Sequence, residues 1–125
     1  MELTGKQTPL KPKITFGKFA NVDMRVAAIV SAPMAEGTNH PCRVIDLDVG
    51  HLGRLRSVGQ LALVPEEQLV GRKVIVCCNL GTRQMGPYVS EALVLGVPHP
   101  QCPPGQAQAT PLYVDDAAQC GDSVF

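Results

Sequence analysis

The chain has no tryptophan and only five aromatic residues, three Phe and two Tyr. Binding single-stranded nucleic acid by stacking successive bases on aromatic platforms is therefore poorly supplied. The same scarcity implies an aliphatic core of Val, Leu, Ile and Ala, with only Phe16, Phe19, Tyr88, Tyr113 and Phe125 available for either role and some of these expected inside. Eleven Lys and Arg balance eleven Asp and Glu, so no excess charge exists to hold a polyanion nonspecifically. No run approaches the roughly 18 apolar residues of a membrane span, and Met1-Glu2-Leu3-Thr4-Gly5-Lys6 lacks a signal-peptide core, so a soluble cytoplasmic protein is expected. The cysteines are five, an odd number at irregular spacing, which fits a reducing compartment better than a disulfide framework. Cys77 and Cys78 are neighbours in a strand pattern, point to opposite faces, and read as packing residues. His40-Pro41-Cys42 and His99-Pro100-Gln101-Cys102 sit in proline-bearing loops without the paired spacing of zinc sites, so neither metal nor cofactor is expected. With no Gly-rich phosphate loop, nucleophile elbow or carboxylate pair on one face, no catalysis is implied.

What is present is one domain's worth of alternating apolar segments. At 125 residues the chain can bury about two-thirds of its unfolded surface, enough to fold without metal or disulfide. A polar leader covers residues 1–13 and the domain covers 14–125, with a proline-rich connection near 98–111 before a last strand. Thr15 can start a short helical turn over Ile14 to Ala20. Strands are predicted at Met24 to Ser31, Cys42 to Val49, Leu55 to Leu63, Lys73 to Leu80 and Val89 to Val97. In the second, Ile45, Leu47 and Val49 alternate with Asp46 and Asp48, the pattern of a half-buried strand. Pro65 at the entry, Glu66 and Glu67 in the first turn and Gly71 at the exit mark one or two turns of helix. Three strands, a short helix and two strands is the order of an all-β, five-stranded Greek-key OB-fold barrel, here with N- and C-terminal extensions.

The densest collection of unlike polar side chains lies around the connection between the last two strands, Asn79-Leu80-Gly81-Thr82-Arg83-Gln84-Met85-Gly86, followed by Ser90-Glu91. An arginine with an amide and a hydroxyl beside it suits phosphate and sugar oxygens, and Glu91 can orient the guanidinium or accept from a base edge. Each residue has a plainer reading. Asn79 can cap its own turn, Arg83 can be a solvated loop charge, and Met85 can plug the barrel. Ser90 and Glu91, adjacent in a strand, should face opposite sides unless a bulge intervenes. Arg54 and Arg56 share a face of the third strand, with Ser57 on the other. Arg25 reads as a local ion pair with Asp23 that fixes the first strand. Residues 1–83 carry all the Lys and Arg against seven acids, and residues 84–125 carry four acids and no base. Folding can gather these into two faces or disperse them.

Several linked motifs carry a resemblance: Phe19-x-x-Val22-Asp23-Met24-Arg25-Val26, Arg56-Ser57-Val58-Gly59-Gln60-Leu61, Glu67-Gln68-Leu69-Val70-Gly71-Arg72-Lys73-Val74, Asn79-Leu80, Arg83-Gln84-Met85-Gly86 and Ser90-Glu91. In order and spacing they resemble the tRNA-binding domain family, OB-fold modules that stand alone or end some aminoacyl-tRNA synthetases, and most of all its CsaA-like members, homodimers described as export-related chaperones. The resemblance covers roughly residues 14 to 97. It implies tRNA as ligand, recognised by shape and backbone, with Asn79, Arg83, Met85, Ser90, Glu91, Arg56, Ser57 and Gln60 as the binding residues. It also implies a homodimer and, as alternatives, a chaperone for unfolded or secretory polypeptides or an accessory subunit of a synthetase.

Overall fold

In the computed structural model, which describes residues 6–125, the barrel is built on one five-stranded antiparallel sheet in the order β3-β2-β1-β4-β7. Its strands are β1 (Met24–Ser31), β2 (Arg43–Asp48), β3 (Arg54–Gly59), β4 (Lys73–Cys77) and β7 (Leu93–Val94). Two small hairpins flank it, β5 (Arg83–Met85) with β6 (Tyr88–Ser90), and β8 (Gly96–Pro98) with β9 (Ala109–Pro111). Helix α1 (Phe16–Ala20) precedes β1, and Thr15 caps it by accepting from Lys18 N at 3.2 Å. Helix α2 (Glu66–Leu69) follows Pro65 and lies between β3 and β4. Of the expected leader, residues 1–5 lie outside the described residues; residues 6–13 are exposed.

The period-two pattern of β2 decides which side faces inward. Ile45 and Leu47 are fully buried opposite Ser57 and Leu55 of β3, while Asp46 and Asp48 face out opposite Arg56 and Arg54. Ala27, Ile29, Leu69, Val74 and Val76 complete an aliphatic centre. Each large aliphatic side chain so enclosed stabilises the fold by about 1.5–3 kcal/mol, so Leu69 of α2 is a substantial plug despite its one-turn helix. The aromatics contribute little to this core: Tyr113 packs against its edge, and Phe16, Phe19 and Phe125 are exposed.

The sheet stops where the backbone leaves the ladder. The strands expected to run to Leu63 and Leu80 end at Gly59 and Cys77, because Leu61 N turns back to Gly59 O and Cys78 N crosses to Asp23 O. The single strand expected over Val89 to Val97 is three short ones. It breaks first at Glu91-Ala92, where the chain bonds to β3. It breaks again near Gly96, where a Cβ would stand 2.7 Å from Thr110 O, so that close approach of β9 requires glycine. The loop expected at Gly81 to Pro87 is largely the β5–β6 hairpin, turned by Gly86 at φ +58°, where a Cβ would collide with the Gly37 carbonyl. After Pro111 the chain forms only isolated bridges, Val74 with Tyr113 and Arg25 with Ser123; the late strand lies earlier, inside the expected proline-rich connection.

Candidate nucleic-acid interface

Barrel closure uses two of the candidate residues. Ser90, nearly buried, accepts from Val58 N at 3.0 Å and donates to Ala92 O at 3.2 Å. Glu91 N donates to Arg56 O at 2.7 Å, and Arg56 N donates to Glu91 Oε1 at 3.1 Å. Both residues therefore address β3, because β6 ends at Ser90 and its alternation does not carry on to Glu91. Ser57 is 2% exposed, between the outward Arg56 and the buried Val58, and borders a depression of about 360 Å³. Asn79 is exposed but occupied: its Oδ1 accepts from Asp23 N at 2.9 Å and its Nδ2 donates to Asn21 O at 2.7 Å, tying the end of β4 to the α1–β1 turn. Gln60 Oε1 accepts from Ala107 N, and Gln60 O accepts from Ala109 N, so this residue seats the β8–β9 hairpin.

The hairpin β5–β6 carries the remaining candidates. Arg83 and Met85 lie on one face of β5 and line three adjoining depressions. One of about 210 Å³ is bounded by Val58, Leu80, Ala92 and Leu93. A second of about 360 Å³ runs along Gln60, Leu95 and Ala107. A third of about 260 Å³ lies under the β1–β2 loop at Thr38, Asn39 and His40. A larger depression, about 700 Å³, sits farther along β3 between Arg54, Arg56, Thr82, Tyr88 and Glu91.

The disposition of positive charge is selective. Arg25 pairs with Asp23 at 2.7 Å, as its spacing in sequence implied, and this hydrogen bond raises the guanidinium pKa above its ordinary value. Arg56 pairs with Asp46 at 3.0 Å. Arg43 is buried and donates to the carbonyls of Leu61 and Ala32. Arg72 stacks 3.8 Å over the Tyr113 ring, and Lys73 donates to the carbonyls of Asp116 and Ala118. Among the described residues, Arg54 and Arg83 are the barrel cations with neither side-chain hydrogen bond nor ion pair. The other unengaged cations, Lys6, Lys11, Lys13 and Lys18, lie on the leader and α1.

Sequence reasoning missed one organising residue. Gln108, 1% exposed, accepts from Ala62 N at 3.1 Å and donates to Pro41 O at 2.8 Å. It joins the β8–β9 hairpin to the end of the β1–β2 loop and so shapes the walls beside Gln60. A glutamine in a proline-rich stretch gives no local sign of this. Among the described residues no group of three metal-ligating side chains occurs, and no helix is long and apolar enough to cross a membrane.

The chain is 38% identical over 100 residues to the methionine–tRNA ligase of Polaromonas sp. strain JS666, matching 78% of this chain and 14% of that enzyme. It is 43% identical over 89 residues to the methionine–tRNA ligase of Cupriavidus necator, matching 70% of this chain and 13% of the enzyme. It thus spans about a seventh of the length of these relatives. Its backbone superposes on the crystal structure of the CsaA chaperone protein from Picrophilus torridus with a TM-score of 0.79, covering 90% of this chain and all of the other at 24% identity, which establishes the shared barrel. The model of one family, described as a putative tRNA binding domain, matches residues 24–123, from the first residue of β1 to the bridge that Ser123 makes with Arg25. By that match the chain belongs to the putative tRNA binding domain family.

Proposed function

We propose that this protein binds tRNA on the barrel face around Arg83 and Met85, by backbone and shape rather than by base stacking, and that it catalyses no reaction. The observation that carries this reading is the unengaged Arg83 guanidinium, exposed on β5 where three depressions meet. A guanidinium without an intramolecular partner is a strong donor pair for phosphate oxygens. Met85 supplies apolar contact beside it, and Arg56 flanks the face from β3. Asn79, Ser57, Gln60, Ser90 and Glu91 serve the same face by holding its strands in place. The working compartment in this reading is the cytoplasm, where tRNA is found.

A homodimer fits the exposed apolar side chains at the chain ends. Phe16 is 81% and Phe125 106% exposed, and Leu10 and Ile14 are open as well. Covering such residues with a second copy removes apolar surface from water. Light scattering that returns 13.3 kDa, the monomer mass, at micromolar concentration would remove the dimer.

A second reading, binding of unfolded or secretory polypeptide, is favoured by the depression walled by Val58, Leu80, Met85, Ala92 and Leu93, more apolar than its neighbours. An accessory role beside a synthetase follows from the methionine–tRNA ligase relatives and is compatible with either ligand. Titrations with total tRNA and with an unfolded polypeptide, each at two salt concentrations, separate the readings. Few phosphates are neutralised by a chain of zero net charge, so the log-log salt slope for tRNA should be on the order of −2 to −4. Salt-independent tRNA binding, or saturable binding of polypeptide alone, would move the second reading to first place.

A further inference from the structure

The four depressions on this side of the barrel share walls. Thr82 borders both the 700 Å³ depression and the 210 Å³ one. Val58 and Leu93 border the 210 Å³ and 360 Å³ depressions, and Gln60 borders the 360 Å³ and 260 Å³ ones. A row of adjoining depressions, the track, thus extends from Arg54 past Thr82 to Arg83 and the β1–β2 loop. Arg54, Arg56 and Val58 alternate on one face of β3, opposite Asp48, Asp46 and Val44 of β2.

Charged side chains along the track are not equally engaged. The acids that border the 700 Å³ depression are already engaged, Asp46 with Arg56 and Ser31, and Glu91 with Arg56 N. Asp48, the cross-strand neighbour of Arg54, accepts from Gly50 N at 2.9 Å. Arg54 is exposed and has no partner among the described residues. The track therefore carries an unengaged guanidinium at each of two places. Four residues of strand separate Arg54 from Val58, which walls the Arg83 depression, a length of about 13 Å. Two unengaged guanidinium groups in adjoining depressions can be answered by successive phosphates of one strand.

Resting on the tRNA reading above, we propose that Arg54 is a second phosphate contact, so that one stretch of RNA backbone lies along β3 and is held at both ends of the track, by Arg54 and by Arg83. Arg56, drawn to Asp46, lies between them and contributes less. The ligand is a polynucleotide strand, and a mononucleotide occupies at most one end.

The test is a titration with total tRNA over a series of salt concentrations, using the full chain and its R54A, R54K, R83A and K11A variants. R54A should bind on the order of three- to tenfold more weakly at low salt, and the magnitude of its salt slope should fall by about 0.7–0.9 for each protomer that touches the RNA, the value of one lost phosphate contact. R54K should keep the wild-type slope, because the charge remains. K11A, a cation off the track, should match the wild type. Thermal midpoints of all variants should agree, since no replaced side chain on β3 or β5 has a partner among the described residues. Wild-type affinity and slope in R54A beside impaired R83A would overturn the second contact and leave the tRNA reading in place. Equal weakening by R54A and K11A would reduce the effect to general charge and overturn the track. Absence of tRNA binding by the wild type would overturn both readings together.

Discussion

Arg56 and Glu91 hold each other by a reciprocal pair of hydrogen bonds 35 residues apart in sequence: Glu91 N donates to Arg56 O at 2.7 Å, and Arg56 N donates to Glu91 Oε1 at 3.1 Å. A side-chain oxygen here stands where a neighbouring strand's carbonyl would otherwise be, which lets the barrel close although the sheet ladder has stopped. The Arg56 guanidinium is drawn at the same time to Asp46. Glu91 is thereby committed to the fold.

Removing that acceptor should loosen closure without emptying the core. Glu91→Ala should cost about 1 kcal/mol, the net worth of a partly exposed hydrogen bond, and Glu91→Gln, which keeps a carbonyl oxygen, should cost less. Urea denaturation of the two variants checks this, and equal midpoints for Ala and wild type would count against the closing role.

Asn79 and Arg83 stand four residues apart and should respond in opposite ways. Asn79→Ala removes two hydrogen bonds to the α1–β1 turn and should cost about 1–2 kcal/mol of stability, with little effect on tRNA affinity of the folded protein. Arg83→Ala should leave stability within about 0.5 kcal/mol of wild type. It should lose about 1–3 kcal/mol of tRNA binding and less of polypeptide binding, which would rest on the apolar walls of the same depression. Thermal unfolding beside a tRNA titration reads both, and unaltered tRNA affinity in Arg83→Ala would remove the site from β5.

Gln108→Leu should be the most damaging of these changes. It keeps the volume but takes the acceptor from Ala62 N and the donor from Pro41 O and leaves the part-buried amide unpaired, at about 1–3 kcal/mol. Hydrogen exchange at Ala62 should accelerate in the variant; wild-type protection there would contradict the assignment.

Two thiols should be slow to react. Burial pushes the Cys42 thiol pKa up, a hydrogen bond with Thr38 opposing it, and burial followed by the Asp23 charge pushes up that of Cys78. Less thiolate is present near neutrality, so alkylation of both should lag that of thiols in the unfolded chain and rise with pH. The linked stability is present below the ordinary thiol value of 9.0 and is lost as pH climbs through the raised native values. Mass spectrometry after timed alkylation checks the order, and immediate labelling of Cys42 in the folded protein would contradict it.

The parts of the fold that were legible in the sequence are those with a local period. Ile45 and Leu47 alternate with Asp46 and Asp48, and Thr15 stands one residue ahead of α1, so β2 and the cap could be read residue by residue. The β5–β6 hairpin could not. Its strands are three residues long and mostly exposed, too short for any period to register, and its turn depends on the fit of Gly86 against Gly37 from another loop. The resemblance points to the polar cluster around Arg83, whereas the bonds that Asn79, Ser90 and Glu91 make within the barrel are visible only in three dimensions.

By itself the sequence determined an aliphatic barrel with a helix ahead of its fourth strand and little capacity for base stacking, because composition and short-range alternation dictate which surfaces must leave water. Tertiary structure alone decided which polar side chains are spent and which are available. Asn79 is spent on Asp23, Glu91 on Arg56 and Gln108 on Ala62, across separations of 56, 35 and 46 residues. Arg54 and Arg83 are left over because no acid or carbonyl among the described residues closes on them when the strands meet. Hydrogen bonding acts over a few ångströms in space whatever the distance along the chain, so the supply of free guanidinium groups is settled only once the barrel has closed.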